Sequence, residues 1–148
     1  FTFSEYNYSN ETPRKKMRYL ITFILLMSTL LQAEIITTPI SQELLTKKVP
    51  LVDIRTEGEW KETGIVKGAI PITFFNEQGQ YDLDKFLAEL NAKVDTKKEF
   101  ALICRSGSRT NMVGKFLSDK LGYKVIDIKG GMLDATHRNV TIVPYKGK

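Results

Sequence analysis

The chain has 148 residues, 42% hydrophobic and 26% charged, proportions that exclude global disorder and fit one domain plus some extra sequence. Its formal net charge is +5; four basic and two acidic side chains precede Glu34, leaving 18 and 15 from there on, or +3. So mild a bias suits small anions and argues against a nucleic-acid partner. The single cysteine, Cys104, excludes an internal disulfide.

Basic residues Arg14, Lys15, Lys16 and Arg18 lead into an apolar stretch from Leu20 to Leu31, then Gln32, Ala33 and Glu34. This is the layout of a secretory signal peptide, with cleavage expected after Ala33. The alternative is a tether formed by an uncleaved N-terminal helix. A spanning helix needs about 20 apolar residues and this stretch holds about a dozen, so no stable membrane anchor is expected. Residues 1–16 read as an upstream extension, 17–33 as the signal and 34–148 as the folded domain. Export, with the periplasm as destination, would leave Cys104 a lone thiol in an oxidising compartment.

From Glu34 the chain alternates strand-like and helix-like segments. A β-branched run at 34–37 precedes Ser41, a helix N-cap for the segment that follows. Residues 49–55 read as a buried strand, 56–63 as a short helix stopped by Gly64, and 69–74 as an irregular or edge strand carrying Pro71. Leu83, Phe86, Leu87 and Leu90 share one helix face. A strand at 99–104 ends on Cys104. The helix after it carries the apolar stripe Met112, Val113, Phe116, Leu117 and Leu121, with Gly122 as C-cap. Residues 124–128 form the last strand, ahead of a Gly-Gly pair and a polar tail. This alternation predicts an α/β fold: a mainly parallel central sheet of about five strands with helices on both faces.

In such sheets ligands bind beyond the carboxyl ends of the strands, where Cys104 stands. The turn after it, Arg105-Ser106-Gly107-Ser108-Arg109-Thr110, is small and glycine-containing. It can aim successive backbone N–H groups at the sulfur, while Arg105 and Arg109 add positive potential. These features favour a negatively charged, nucleophilic sulfur over a packing residue.

The loop "CRSGSRT" resembles the active-site loop of rhodanese-type sulfurtransferases. "LVDIRTEGEWKETGIVKGAI" (51–70) resembles that family's upstream motif, and "IKGGM" (128–132) its Gly-Gly signature. The resemblance implies that Cys104 takes sulfane sulfur from a small anionic donor such as thiosulfate. It would then pass the sulfur to cyanide or a thiol, including a protein thiol, with no metal and no organic cofactor. It further implies that residues 105–110 bind the substrate, Arg109 above all, and that Asp53, Arg55 and Glu59 support them through an ion pair. The chain departs from the family where Gly64-Ile65-Val66 replaces Gly-His-Ile and where Pro71 follows Gly-Ala. Met132 and His137, the only histidine, stand where aromatic residues are common; no catalytic role is expected for His137. Two alternatives differ in class. A persulfide carrier or interaction module would use the same cysteine without turnover. A cysteine-dependent phosphatase or arsenate reductase needs a loop one residue longer than the four residues between Cys104 and Arg109.

Overall fold

The computed structural model describes residues 34–147 together with Arg14, Met17 and Arg18. The chain divides into two units, Phe1–Gln32 and Ala33–Lys148. The expected extension and signal peptide lie outside the described residues, apart from those three exposed side chains. Among the described residues no helix is long and apolar enough to cross a membrane.

Among the described residues from Glu34 on, seven strands and five helices follow in chain order: β1 (Ile36–Pro39), α1 (Gln42–Thr46), β2 (Leu51–Asp53), α2 (Glu57–Thr63), β3 (Ile65–Val66), β4 (Ile70–Pro71), α3 (Leu83–Lys93), β5 (Phe100–Ile103), α4 (Ser108–Leu121), β6 (Val125–Lys129), α5 (Gly131–Ala135) and β7 (Ile142–Val143). The main sheet has five strands in the order β1-β6-β5-β2-β4, and every pairing in it is parallel. Parallel neighbours require crossover connections, which the helices supply. The five-stranded α/β sheet is therefore the one expected.

Side-chain alternation along β5 builds both faces of the core. Phe100, Leu102 and Cys104 join the cluster that includes Phe86 and Leu90 of α3 and Val113 and Leu117 of α4. Ala101 and Ile103 join the opposite cluster, with Met132 and Ala135 of α5 and, packed against it, Leu44 and Leu45 of α1. The nucleophile candidate thus sits at the top of a strand whose every residue is buried.

Several expectations shift. The first strand runs over Ile36–Pro39 rather than 34–37, because Ile35 packs onto α4 where Gly114 has no side chain; a Cβ there would lie 2.8 Å from Ile35 Cδ1. The strand expected at 69–74 is named only at Ile70–Pro71, although the Ile72 and Phe74 N–H groups still donate to Asp53 and Ile54 of the β2 segment. The stripe on α4 is narrower than expected. Met112, Phe116 and Leu121 are exposed or nearly so, while Thr110, Val113, Gly114, Leu117 and Ser118 face the sheet. The tail is not merely polar: β7 pairs antiparallel with β3, Ile65 opposite Val143 and Val66 opposite Ile142. Two-residue strands carry too little periodicity to be visible in a sequence.

At the carboxyl end of β2, Asp53 and Arg55 form a buried pair, 0% and 1% exposed. Arg55 Nε donates to Asp53 Oδ1 at 2.9 Å and Nη2 to Oδ2 at 2.7 Å. The remaining donors reach Thr63 Oγ1 and the Gly64 carbonyl, each at 2.7 Å. A buried guanidinium is tolerated when its donors are filled in this way. The result fastens the end of β2 to the end of α2. Arg55→Ala leaves Asp53 buried without its partner and is expected to cost about 3–5 kcal/mol in urea unfolding. Arg55→Lys recovers only part of that, lacking the planar fork. Wild-type stability in the alanine variant would contradict this account.

Candidate active site

Cys104 follows β5 and is 0% exposed. The chain then turns sharply through Arg105 and Ser106 into Gly107, whose φ of +92° is open to glycine at little cost. That conformation turns the Gly107 N–H onto the sulfur, with N to Sγ at 3.1 Å. Thr110 Oγ1 donates to the Gly107 carbonyl at 3.0 Å and lies 3.6 Å from Sγ. Ser106 and Ser108 are exposed, their hydroxyls 3.3 Å apart. Gly107 is also the N-cap of α4 and offers no side-chain cap. The N–H groups of the first helical turn are thus left for whatever enters the loop, and the positive end of the helix dipole points the same way.

The Gly-Gly signature braces the loop from behind. The N–H groups of Met132 and Leu133 donate to the carbonyls of Cys104 (2.8 Å) and Arg105 (3.0 Å). This approach requires glycine at 131, where φ is +56° and a Cβ would lie 2.4 Å from the Cys104 oxygen. On the other side, a Cβ on Gly107 would meet the Gly130 nitrogen at 3.0 Å. Sulfur, loop and α5 are packed backbone to backbone.

Arg109 and Glu59 face each other across the mouth, Nη1 to Oε2 at 2.8 Å and Nη2 to Oε1 at 2.6 Å. The same carboxylate accepts the Thr56 N–H in a capping box that starts α2. Partial burial alone would raise the Glu59 carboxyl. Hydrogen bonds from Arg109 and Thr56 and the charges of Arg109 and Arg55 more than offset it, bringing it down to about 2. Arg109 is pushed above its ordinary range by its hydrogen bonds to Glu59, against some desolvation, with a smaller contribution from the Cys104 sulfur. The unfolded carboxyl titrates near about 4.3. The stability this pair supplies is therefore complete above that value and lost as pH falls through about 2.

The structure brings Cys104, Gly107, Arg109, Thr110 and Glu59 together. It holds Asp53 and Arg55 apart as their own buried unit, with Glu59 paired to Arg109 rather than to them. Arg105 is exposed on the loop, and His137 is exposed beyond α5. The sequence reading did not single out Thr63, which completes the Arg55 network. It also missed the backbone donors of Met132 and Leu133, which no side-chain pattern announces. A cavity of about 700 Å³ opens beside Arg109 and is lined also by Glu59, Glu62, Phe75 and Glu77. Among the described residues no group of three or more His, Cys, Asp or Glu stands together as a metal site.

Gly131→Ala is expected to cost at least about 2 kcal/mol and to slow alkylation of Cys104 by iodoacetamide, since the loop must retreat from the new methyl group. An unchanged melting temperature with an unchanged alkylation rate would refute the bracing role.

Residues 38–136 match the Rhodanese-like domain family. The chain is 30% identical over 101 residues to the putative sulfurtransferase YtwF of Bacillus subtilis, covering 68% of this chain and 86% of that protein. It is 36% identical over 84 residues to the uncharacterized protein RP600 of Rickettsia prowazekii, a match spanning 55% of this chain and 66% of that protein's length. A rhodanese-like domain protein from Staphylococcus aureus superposes with a TM-score of 0.52 at 24% identity, over 74% of this chain and 98% of its own. A rhodanese-related protein from Thermoplasma volcanium superposes with a TM-score of 0.51 at 24% identity, over 70% of this chain and 90% of its own, and both similarities bear on fold. With its cysteine loop, Asp-x-Arg segment and Gly-Gly turn gathered at one end of the sheet, and with the family match spanning the domain, the chain belongs to the rhodanese-like family.

Proposed function

We propose that this chain is an exported sulfurtransferase that carries sulfane sulfur as a persulfide on Cys104. The observation that carries the reading is the sulfur at the end of β5, hydrogen-bonded by Gly107 N–H at the mouth of an uncapped helix. With thiosulfate as donor, the Cys104 thiolate attacks the outer sulfur. A new S–S bond forms, the donor's S–S bond breaks, and the electron pair leaves on sulfite. A thiolate or cyanide then attacks the outer sulfur of the persulfide and regenerates the Cys104 thiolate. The charge of the intermediate rests on that outer sulfur. First-turn N–H groups of α4 stabilise charge there without giving up a proton. The sulfur itself forms the covalent intermediate, so the two half-reactions need only the chain's own groups. A loop of this length suits one sulfur atom rather than a tetrahedral phosphate, which disfavours the phosphatase alternative.

Mass spectrometry of the intact protein after incubation with thiosulfate is expected to show a gain of about 32 Da, one sulfur atom, on Cys104. Cys104→Ser is expected to abolish both the mass gain and thiosulfate:cyanide turnover, and aryl phosphates are expected to remain uncleaved. A folded, reduced protein that gains no sulfur would overturn the reading, and sulfur gain without turnover would leave a carrier. Export predicts a mature N-terminus at Glu34 when the chain is produced from Met17 in a bacterium; a mature N-terminus at Met17 would contradict it.

A further inference from the structure

Arg109 stands at the second position of α4, at the mouth of the Cys104 loop, yet both arms of its fork are occupied by Glu59, at 2.6 and 2.8 Å. A bidentate pair of this kind presents almost no net charge to a newcomer. The cavity that Arg109 lines adds Glu62 and Glu77 to Glu59, and among the described residues lining it Arg109 is the one cation. Glu77 is exposed and reaches over the start of α2, where a Cβ on Gly58 would come within 2.7 Å of its Oε1. The loop's other guanidinium, on Arg105, is exposed.

We propose that Glu59 sets the charge of the donor this site accepts: by filling Arg109's fork, it turns the mouth against dianions and favours singly charged sulfane donors. The proposal rests on Cys104 being the persulfide-forming nucleophile. A sulfonate oxygen can use Arg109 only by sharing or displacing the Glu59 carboxylate. A dianion that approaches Arg109 from the cavity beside it also meets the carboxylates of Glu62 and Glu77, whose repulsion salt screens over about 8 Å at physiological ionic strength. Backbone N–H groups are fixed dipoles, and they hold one negative sulfur without rewarding a second charge. Two donors isolate the effect because their chemistry is the same. Thiosulfate is doubly charged and leaves as sulfite; methanethiosulfonate is singly charged and leaves as methanesulfinate. In both, the bond formed joins Cys104 to the donor's terminal sulfur, and the electron pair of the broken S–S bond departs with the leaving group.

The test measures kcat and KM for both donors, at low and high salt, in the full chain and in Glu59→Gln, Glu62→Gln and Glu77→Gln. Persulfide mass gain is followed alongside. Glu59→Gln is expected to lower the KM for thiosulfate about three- to tenfold, with a smaller change for methanethiosulfonate. Added salt should raise the thiosulfate KM more in Glu59→Gln than in wild type, since an uncovered guanidinium is screened and a neutral pair is not. Glu62→Gln and Glu77→Gln, which leave the fork filled, should shift the donor ratio in the same direction by less. Equal shifts for both donors, or a loss confined to kcat, would overturn the proposal and reduce Glu59 to a residue that positions Arg109. Should Glu59→Gln fail to fold, an unchanged donor ratio in both other variants overturns it. A wild-type chain that gains no sulfur from either donor overturns the underlying reading of Cys104 instead.

Discussion

The site depends on one constraint: the backbone of three segments meets at Cys104 with no side chain between them. The cysteine's carbonyl is held by Met132 N–H and its sulfur by Gly107 N–H. Each bond exists because a glycine allows the approach, at 107 toward Gly130 and at 131 toward the Cys104 oxygen. Because the donors are main-chain groups fixed in secondary structure, they require little reorganisation as charge builds on sulfur. The sulfur proposed to react thus takes its shortest hydrogen bond from the main chain.

Two carboxylate–guanidinium pairs flank this centre and do different jobs. Asp53 and Arg55 are sealed from solvent, and their unused donors are spent on Thr63 and Gly64. That pair contributes geometry, keeping the ends of β2 and α2 in register. Glu59 and Arg109 are partly open, 22% and 24% exposed, and join the two helices whose starts frame the mouth. Their spacing in the chain, 50 residues, shows that β2 and β5, adjacent in the sheet, bring distant segments into one site.

The helices and long strands were legible in the sequence because their signals are local. Ser41 caps α1, Gly64 and Gly122 end α2 and α4, and β5 is a continuous apolar run. The position of Cys104 at a strand-to-helix turn was legible for the same reason. What was not legible is relational. Nothing near Glu59 in the chain announces Arg109 as its partner, and nothing in Ile65-Val66 or Ile142-Val143 announces a ribbon. The α4 stripe was overdrawn because apolar identity does not distinguish Val113, against the sheet, from Met112, one step round the helix and 56% exposed.

The β3–β7 ribbon has a consequence for where this domain ends. The family match stops at residue 136, yet Val140 lies in the core cluster of α5, and Val143 pairs with Ile65. Gly64, next to that pairing, supplies the carbonyl that holds Arg55, and a Cβ on it would lie 2.6 Å from the Val143 oxygen. The packing of this domain therefore extends through the ribbon, past residue 136 where the family match stops. A boundary drawn by similarity alone would cut away part of the clamp that aligns α2 with the sheet.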